Sequence, residues 1–344
     1  MLENTSRTDI STLGEFGLIE HLTSLFETKN DSTLKGVGDD AAVIKADGKC
    51  ILITTDLLLE GIHFDLSYYP LKHLGYKAVA VNVSDIYAMN GTPKQITVSI
   101  AMSSKFSLEA IEEIYAGIKS ACEYYEVDLI GGDTSASKQG LILSITAIGE
   151  AEEKNIVYRK GAKDGDLLCV TGDLGGAYVG LQVLEREKRV FLADPNAQPD
   201  LDGHDYIIGR QLKPEARKDV IDFFKKVDLR PTSMIDISDG LSSEIFHLCS
   251  QSEIGMTVYE DKIPIDPTTY NMAREFDFDP TMTTMNGGED YELLFTIDQK
   301  DYDKVKADTN ITVIGHCVPR GEGIHMISKS GNKHALKAQG WKAF

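Results

Sequence analysis

The segment that decides the fold reads PLKHLGYKAVAVNVSDIYAMNGTPKQITVSIAM and covers residues 70–102. Its first two thirds place apolar residues on nearly every side at helical spacing, which predicts a buried helix of about five turns. Gly91 and Pro93 end that helix, and the alternating segment QITVSIAM is typical of a strand. A buried helix followed directly by a strand indicates a sheet with helices packed on it.

Similar elements flank this segment on both sides. Before it, residues 14–28 place apolar side chains on one helical stripe, and AAVI and CILITTD are predicted strands. After it come an amphipathic helix, SLEAIEEIYAGIKSACEYY, and two more strands, VDLIGGD and GLILSITAIGE. This order predicts an α+β fold with helices over one face of a sheet.

The length of 344 residues fits two domains of ordinary size. The polar, turn-rich segment EEKNIVYRKGAKDGD predicts a boundary near residue 152, which gives two mixed α/β domains at residues 1–152 and 153–344. Residues 189–205 contain two prolines and many polar side chains, and they predict a surface loop or a mobile flap.

Composition excludes several classes of protein. A formal net charge of −19 argues against a general nucleic-acid binder. Nowhere do 18 apolar residues run together, so no membrane-spanning helix and no membrane partner are expected. The five dispersed cysteines indicate buried free thiols, and the polar start of the chain lacks the apolar region of a signal peptide. These features together predict a cytoplasmic protein.

Aspartates recur where predicted strands end, at the edge of the core where ligand sites form in α/β proteins. For any single one of them, a role in a turn or as a helix cap is an equally good explanation. The same residue at several independent strand ends favours a shared site. The aspartates concerned are Asp39, Asp40, Asp56, Asp133, Asp236 and Asp239.

Asp85 lies inside the predicted buried helix, where an ionised carboxylate is costly unless a cation or hydrogen-bond donors compensate it. No Lys or Arg is within a turn of it, and Lys77 is two turns away. A protonated or locally hydrogen-bonded acid is the alternative, but bound Mg²⁺ explains the residue better, because this ion takes carboxylate oxygens and bridges them to phosphate. Thr54 and Thr55 could add oxygen ligands, although β-propensity explains them equally well.

Phosphate chemistry is compatible with this acid set although the Walker pattern GxxxxGK[ST] is absent. The glycine-rich segment VTGDLGGAYVG is a weak phosphate signal and more readily a tight strand-to-helix turn. Phosphoryl transfer depends mostly on positioning and charge neutralisation, which carboxylates loaded with Mg²⁺ can supply. If the acceptor is itself a phosphate, it is already ionised near neutral pH, so no general base is required.

The chain resembles the thiamine-monophosphate kinase family, within the superfamily of aminoimidazole ribonucleotide synthetase and selenophosphate synthetase. The resemblance rests on motifs in family order across nearly the whole chain, namely GEFGLIEHL, GVGDDAAV, TTDLLLEGIHF, YKAVAVNVSDIYAMNGTP, DLIGGDTS, DISDGLSSEI, GGEDYELLFT and GWKAF. It implies an α+β fold of the aminoimidazole ribonucleotide synthetase-like type, in a homodimer whose N-terminal sheets pair. It also implies that ATP phosphorylates thiamine monophosphate to thiamine diphosphate by direct in-line transfer, assisted by several Mg²⁺ ions.

The resemblance also assigns roles to individual residues. The family's Mg²⁺ ligands match Asp40, Thr54, Thr55, Asp56, Asp85, Asp133, Asp236 and Asp239. Its ATP contacts match Tyr115, Gly132, Asp133, Arg159 and Ser238, and its thiamine-phosphate contacts match His63, Glu289 and Trp341. It implies an N-terminal domain that binds ATP and Mg²⁺ and dimerises, and a C-terminal domain that completes the substrate and nucleotide site.

Some of these residues also have a plainer explanation. Trp341, the only tryptophan, offers an aromatic face to a cationic thiazolium ring, but it could equally anchor the chain end to the second domain. His63 alone is typical of a packed or surface histidine, and Arg159 alone of a solvated charge.

Two other functions are compatible with the sequence. One is a different ATP-using enzyme of the same superfamily, and the other is a non-catalytic module that binds nucleotide or metal. The chain lacks the reactive N-terminal Cys next to a Lys that selenophosphate synthetase has, and it lacks the C-terminal cysteine tail of the hydrogenase-maturation carbamoyl dehydratases.

Overall fold

The computed structural model describes residues 14–24 and 29–337. Its first half contains three helices and six strands that follow the order expected from the sequence. They are α1 (Gly14–Thr23), β1 (Thr33–Lys35), β2 (Ala42–Ala46), β3 (Lys49–Leu59), α2 (Leu71–Ala88), β4 (Thr92–Met102), α3 (Leu108–Tyr125), β5 (Asp128–Ala136) and β6 (Ile142–Ala151).

The six strands form one sheet in the order β1-β2-β3-β6-β4-β5. All neighbours are antiparallel except β4 and β5, which run parallel. The buried helix α2 packs against β3, β4 and β6, and α3 packs against α2. An α+β layer with helices over one sheet face is therefore confirmed for this part of the chain.

Helices α2 and α3 cross at two glycines. A Cβ atom on Gly75 would lie 1.9 Å from the carbonyl oxygen of Ile114, and one on Gly117 would lie 1.9 Å from that of Lys72. Any larger residue at either position would push the helices apart, because protein interiors are close-packed.

The second half, described as far as residue 337, contains seven α-helices and seven strands. They are β7 (Leu167–Thr171), α4 (Gly176–Ala193), α5 (Asp205–Leu212), α6 (Lys218–Lys226), β8 (Ser233–Asp236), α7 (Leu241–Ser252), β9 (Ile254–Tyr259), α8 (Pro267–Glu275), α9 (Pro280–Asn286), β10 (Leu293–Ile297), α10 (Tyr302–Val305), β11 (Ile311–Pro319), β12 (Ile324–Ile327) and β13 (Lys333–Ala335). The strands form a second sheet in the order β13-β12-β9-β11-β7-β10-β8.

One large hydrophobic core joins the two halves. It contains Leu74 and Ile86 of α2 together with Phe224 of α6 and Phe295 of β10. Helix α2 also contacts β8, so it lies between the first sheet and an edge strand of the second. Polar groups on α2 can therefore meet groups from both sheets.

Two features differ from the expectation, namely the length of the loop after α4 and the positions of two aspartates in their strands. The segment predicted as a loop over residues 189–205 is shorter, because α4 continues to Ala193 and α5 begins at Asp205. Asp56 and Asp133 lie inside β3 and β5 rather than at their ends, since backbone pairing with β6 and β4 continues past them. No helix in the described part of the chain is both long and apolar enough to span a membrane.

Candidate active site

Three carboxylates from distant parts of the chain meet at one point. Asp40 lies in the bend before β2, Asp85 lies on α2, and Asp236 ends β8. One oxygen atom from each lies within 4.8 Å of the other two. We call these three residues the acid cluster, and its chemistry fits a hard divalent cation such as Mg²⁺.

Hydrogen-bond donors hold each carboxylate of the cluster in place. The Thr54 hydroxyl donates to Asp85 Oδ2 and the Ser84 hydroxyl donates to Asp236 Oδ2, both at 2.5 Å. Arg159 forms an ion pair with Asp40, in which Nη2 donates to Oδ1 at 2.8 Å and Nε donates to Oδ2 at 3.2 Å. The oxygen atoms are thus fixed by neighbours on β3, on α2 and in the segment between β6 and β7, as a preorganised ion site requires.

Burial and mutual repulsion make these acids hard to ionise without a cation. Burial raises the pKa of Asp236 to about 7, and the neighbouring charge of Asp40 adds to this. Burial also raises the pKa of Asp85 well above its ordinary value, and the charges of Asp56 and Asp236 act in the same direction. The pKa of Asp56 is raised to about 6 by burial. A divalent ion would reverse all three shifts, because its positive charge favours the ionised forms.

A cavity of about 480 Å³ opens beside the cluster. Its walls come from β3, α2, α4, α5, the segment after β8 and the segment before β10. The residues predicted as site residues that line it are Asp56, His63, Asp85, Asp236, Ser238, Asp239 and Glu289. The fold therefore brings together at one cavity residues predicted for metal, nucleotide and substrate.

Glu289 is held at one wall of this cavity. Lys77 Nζ lies 2.9 Å from both carboxylate oxygens of Glu289, and Gln211 Nε2 donates to Oε2 at 2.8 Å. His63 is also at this wall, where its Nδ1 accepts a hydrogen bond from the Leu59 amide at 3.1 Å. Burial lowers the pKa of His63, whereas the charge of Glu289 opposes the shift.

The segment that carries Glu289 has a strained backbone. Glu289 and Tyr291 have positive φ values of 58° and 51°, which non-glycine residues adopt at a cost. Asp290, between them, points the other way and accepts a hydrogen bond from the Gly175 amide at 2.8 Å. Glu292 follows and binds Arg210 Nη1 at 2.9 Å.

Further contacts anchor the same segment. The Thr171 hydroxyl donates to Glu292 at 2.6 Å, and Arg217 also pairs with this carboxylate. These contacts fix the buried carboxylates of Asp290 and Glu292 away from the cavity, whereas the carboxylate of Glu289 lines it. The contact of Asp290 with Gly175 also shows that the glycine-rich segment 172–176 forms a turn closed by a carboxylate, so the turn interpretation is confirmed.

Other predicted residues lie away from the cluster. The Thr55 side chain points to the opposite face of β3, where its hydroxyl donates to the Ile145 carbonyl at 3.0 Å. Gly132 and Asp133 lie on the exposed edge strand β5, and Tyr115 is half-buried on α3. Trp341 lies outside the described residues.

Sequence reasoning missed several groups that complete the site. Lys77, Ser84 and Gln211 were not predicted to contact it, and neither was Glu244, which is buried and accepts a hydrogen bond from the Asp239 amide at 2.8 Å. Burial raises the pKa of Glu244 well above its ordinary value, and the charge of Asp239 adds to this. The one available signal for Lys77 was a lysine within the part of α2 that is apolar on nearly every side, since lysines are rarely buried without a partner.

The chain is similar in sequence and in structure to known proteins. The family profile "AIR synthase related protein, N-terminal domain" matches residues 38–151. Over 332 residues the chain is 34% identical to the thiamine-monophosphate kinase of Aquifex aeolicus (strain VF5), covering 96% of this chain and 98% of that relative. It is 32% identical over 345 residues to the thiamine-monophosphate kinase of Bacillus subtilis (strain 168), covering 96% and 100%. A solved structure of AaThiL complexed with AMPPCP and TMP matches with a TM-score of 0.84 and 32% identity, covering 99% of this chain and 100% of that chain.

Proposed function

The chain belongs to the thiamine-monophosphate kinase family, and we propose that it transfers the γ-phosphoryl group of ATP directly to thiamine monophosphate. The bond between the γ-phosphorus and the oxygen that bridges it to the β-phosphate breaks. A new bond forms to a phosphate oxygen of the acceptor, and the products are ADP and thiamine diphosphate. The solved complex of a relative with AMPPCP and TMP supports this pair of substrates.

The observation that carries the proposal is the acid cluster at the wall of the cavity. Its three carboxylates and the Thr54 hydroxyl would hold Mg²⁺, with Asp56 and Asp239 beside them. When bound, Mg²⁺ would neutralise negative charge on the two phosphate substrates. We keep Thr55 and Asp133 as proposed ligands of the ion site. Thr55 could join it only through its backbone carbonyl, because its side chain faces away, and Asp133 could join it only from a second copy of the chain, because β5 lies away from the cluster.

The chain's own residues bind and orient the two substrates. Arg159 can offer its guanidinium to the nucleotide phosphates, and Ser238 follows β8 at the cavity. We also assign Gly132, Asp133 and Tyr115 to ATP, with their contribution coming from β5 and α3. A general base is unnecessary, because the acceptor phosphate loses its second proton near pH 6, roughly as phosphoserine does.

The wall of the cavity that carries Glu289 and His63 is assigned to the thiamine part of the acceptor. Its thiazolium ring carries a positive charge, and the carboxylate of Glu289 lies at the wall with His63 beside it. Trp341 is predicted to add an aromatic face. A charged ring between a carboxylate and aromatic groups would be recognised through both charge and stacking.

We further propose that two copies of the chain associate through β5. This strand lies at the free edge of the first sheet and is exposed along its whole length. Leu129 and Ile130 on it are 46% and 58% exposed, an unusual position for large apolar side chains on an edge strand. A homodimer joined there would cover them and would bring Asp133 next to a second molecule.

The domain division at residues 1–152 and 153–344 also stays a proposal, supported by the gap between β6 and β7. We expect the protein to act in the cytoplasm. All five cysteines are free thiols, which suits a reducing compartment.

The direct test is incubation with ATP, Mg²⁺ and thiamine monophosphate, followed by separation of the products. We expect equal amounts of ADP and thiamine diphosphate. Asp85→Asn should abolish turnover without unfolding the protein, because a neutral amide is easier to bury than an acid. Asp47→Asn, the same change at an exposed position between β2 and β3, is the matched control and should keep full activity.

Failure would take two recognisable forms. A folded wild-type protein that binds ATP and Mg²⁺ without turnover would support a non-catalytic module. ADP formation that requires a different acceptor, with no thiamine diphosphate formed, would support another enzyme of the superfamily. Activity retained by Asp85→Asn would remove this residue from the ion site.

A further inference from the structure

Lys77 is a buried cation that reaches the active-site cavity only through another residue. Its side chain is 0% exposed, and its Nζ contacts both oxygens of Glu289 at 2.9 Å. Glu289 and Gln211 line the cavity, whereas Lys77 is not among the described residues that do. Resting on the function proposed above, we propose that Lys77, with Gln211, is a positioning residue that aims the Glu289 carboxylate at the cationic ring of thiamine monophosphate.

The surroundings of Lys77 explain why its charge is directed to Glu289. A buried ammonium group is stable only when it is paired and hydrogen-bonded. The described groups around it include the carboxylate of Glu289, the ring of Tyr69, whose centre lies 5.6 Å from Nζ, and His63, on which the charge of Lys77 acts. The pair therefore fixes both residues, since Lys77 without Glu289 would be a buried charge with no carboxylate partner, and Glu289 without Lys77 would keep only the contact with Gln211.

Gln211 supplies the second contact from a different element. It lies in the last turn of α5, and the Tyr69 hydroxyl donates to the carbonyl oxygens of Gln211 and Leu212 at 3.0 Å each. These bonds fix the end of α5, so that Gln211 Nε2 reaches Glu289 Oε2 at 2.8 Å. Three donated hydrogen bonds thus occupy part of the carboxylate and leave lone pairs for a ligand in the cavity.

Helix α2 links this carboxylate to the acid cluster. Lys77 and Asp85 are eight residues apart on one continuous helix, which is about 12 Å along the axis. The same rigid element therefore sets the distance between the end that holds the ring and the end where phosphate is transferred. Lys77 is expected to affect affinity for the acceptor and not the binding of ATP.

A double-mutant cycle tests the proposal. Lys77→Met and Glu289→Gln are made singly and together, and the dissociation constant of thiamine monophosphate and the KM for ATP are measured for each protein. We expect Lys77→Met alone to raise the dissociation constant about tenfold, with KM for ATP within about twofold of wild type. In the Glu289→Gln background, Lys77→Met should change the dissociation constant of thiamine monophosphate by less than about twofold, because Lys77 acts through Glu289.

Two further variants control for effects on the fold. Lys72→Met makes the same chemical change at an exposed position on α2 and should leave both constants unchanged. Lys77→Arg keeps the positive charge on a bulkier, planar head group, so it should lose less affinity than Lys77→Met. If circular dichroism shows that Lys77→Met does not fold, Lys77→Arg is measured with and without Glu289→Gln instead, and equal effects in the two backgrounds would overturn the positioning role.

The outcomes separate this proposal from the function on which it rests. Equal effects of Lys77→Met with and without Glu289 would show that Lys77 acts independently and would overturn the positioning role. So would a loss of ATP affinity that equals the loss for thiamine monophosphate. A folded wild-type protein that neither binds nor phosphorylates thiamine monophosphate would overturn the proposed function and this role together.

Discussion

Replacing Asp236 with Asn is expected to stabilise the protein when divalent ions are removed and to weaken its stabilisation by Mg²⁺. Asp236 is 4% exposed and shares the acid cluster with Asp40 and Asp85. An amide at this position removes one of three crowded charges and can still accept the hydrogen bond from Ser84. The same amide is a poorer ligand for Mg²⁺ than a carboxylate.

The magnitude follows from the pKa of this carboxyl, which burial raises from 3.8 to about 7. The folded state therefore holds the proton more firmly than the unfolded state, so the carboxyl favours folding below about pH 4 and loses this advantage as pH rises to about 7. A shift of three units corresponds to about 4 kcal/mol above pH 7. Because the acids of the cluster share the repulsion, we expect about 2 kcal/mol from this one substitution, which is a few degrees in Tm.

The assay is thermal unfolding followed by circular dichroism, in a chelator and then with saturating Mg²⁺, at about pH 5.5 and about pH 8. In chelator, the wild-type Tm should fall between the two pH values more than that of Asp236→Asn. Mg²⁺ should raise the wild-type Tm most at the higher pH, since protons and metal compete for the cluster. Asp47→Asn should behave like wild type. A variant that is less stable than wild type in chelator at the higher pH, and that gains as much from Mg²⁺, would refute the reasoning.

Two more predictions concern packing and assembly. Gly75→Ala should lower the free energy of unfolding by about 1–3 kcal/mol, because the new methyl group would overlap the carbonyl oxygen of Ile114; denaturant titration measures this, and an unchanged midpoint would contradict it. Ile130→Asp should give monomers in analytical ultracentrifugation while wild type sediments as a dimer, because an acid is costly in an interface formed by β5. A variant that still sediments as a dimer would place the interface elsewhere.

Local patterns in the sequence were sufficient for most of the first half of the fold. Helix α2 was predicted because its apolar residues occupy nearly every side, and burial of that helix made Asp85 a candidate ion ligand. Helices α5, α8, α9 and α10 were not predicted. They have 8, 9, 7 and 4 residues, and tertiary packing rather than periodicity stabilises helices of that length.

For the site, residue types were easier to predict than their partners. Thr54 and Thr55 looked equivalent in the sequence, but alternation along β3 sends only Thr54 to the acid cluster. Lys77 was noted only for its distance from Asp85 on the same helix. Its actual partner, Glu289, is 212 positions away, and only the packing of both halves against α2 brings the two together.

The dependence of Lys77 on Glu289 also constrains how the chain can fold during its synthesis. The ribosome releases α2 long before the segment that neutralises its lysine and before Asp236, the third carboxylate of the cluster. A nascent N-terminal half therefore carries Lys77 on α2 without its carboxylate partner, and we expect α2 to become fully buried only after Glu289 has been translated. A chain cut between β6 and β7 should accordingly yield two fragments that regain ligand binding only when they are refolded together.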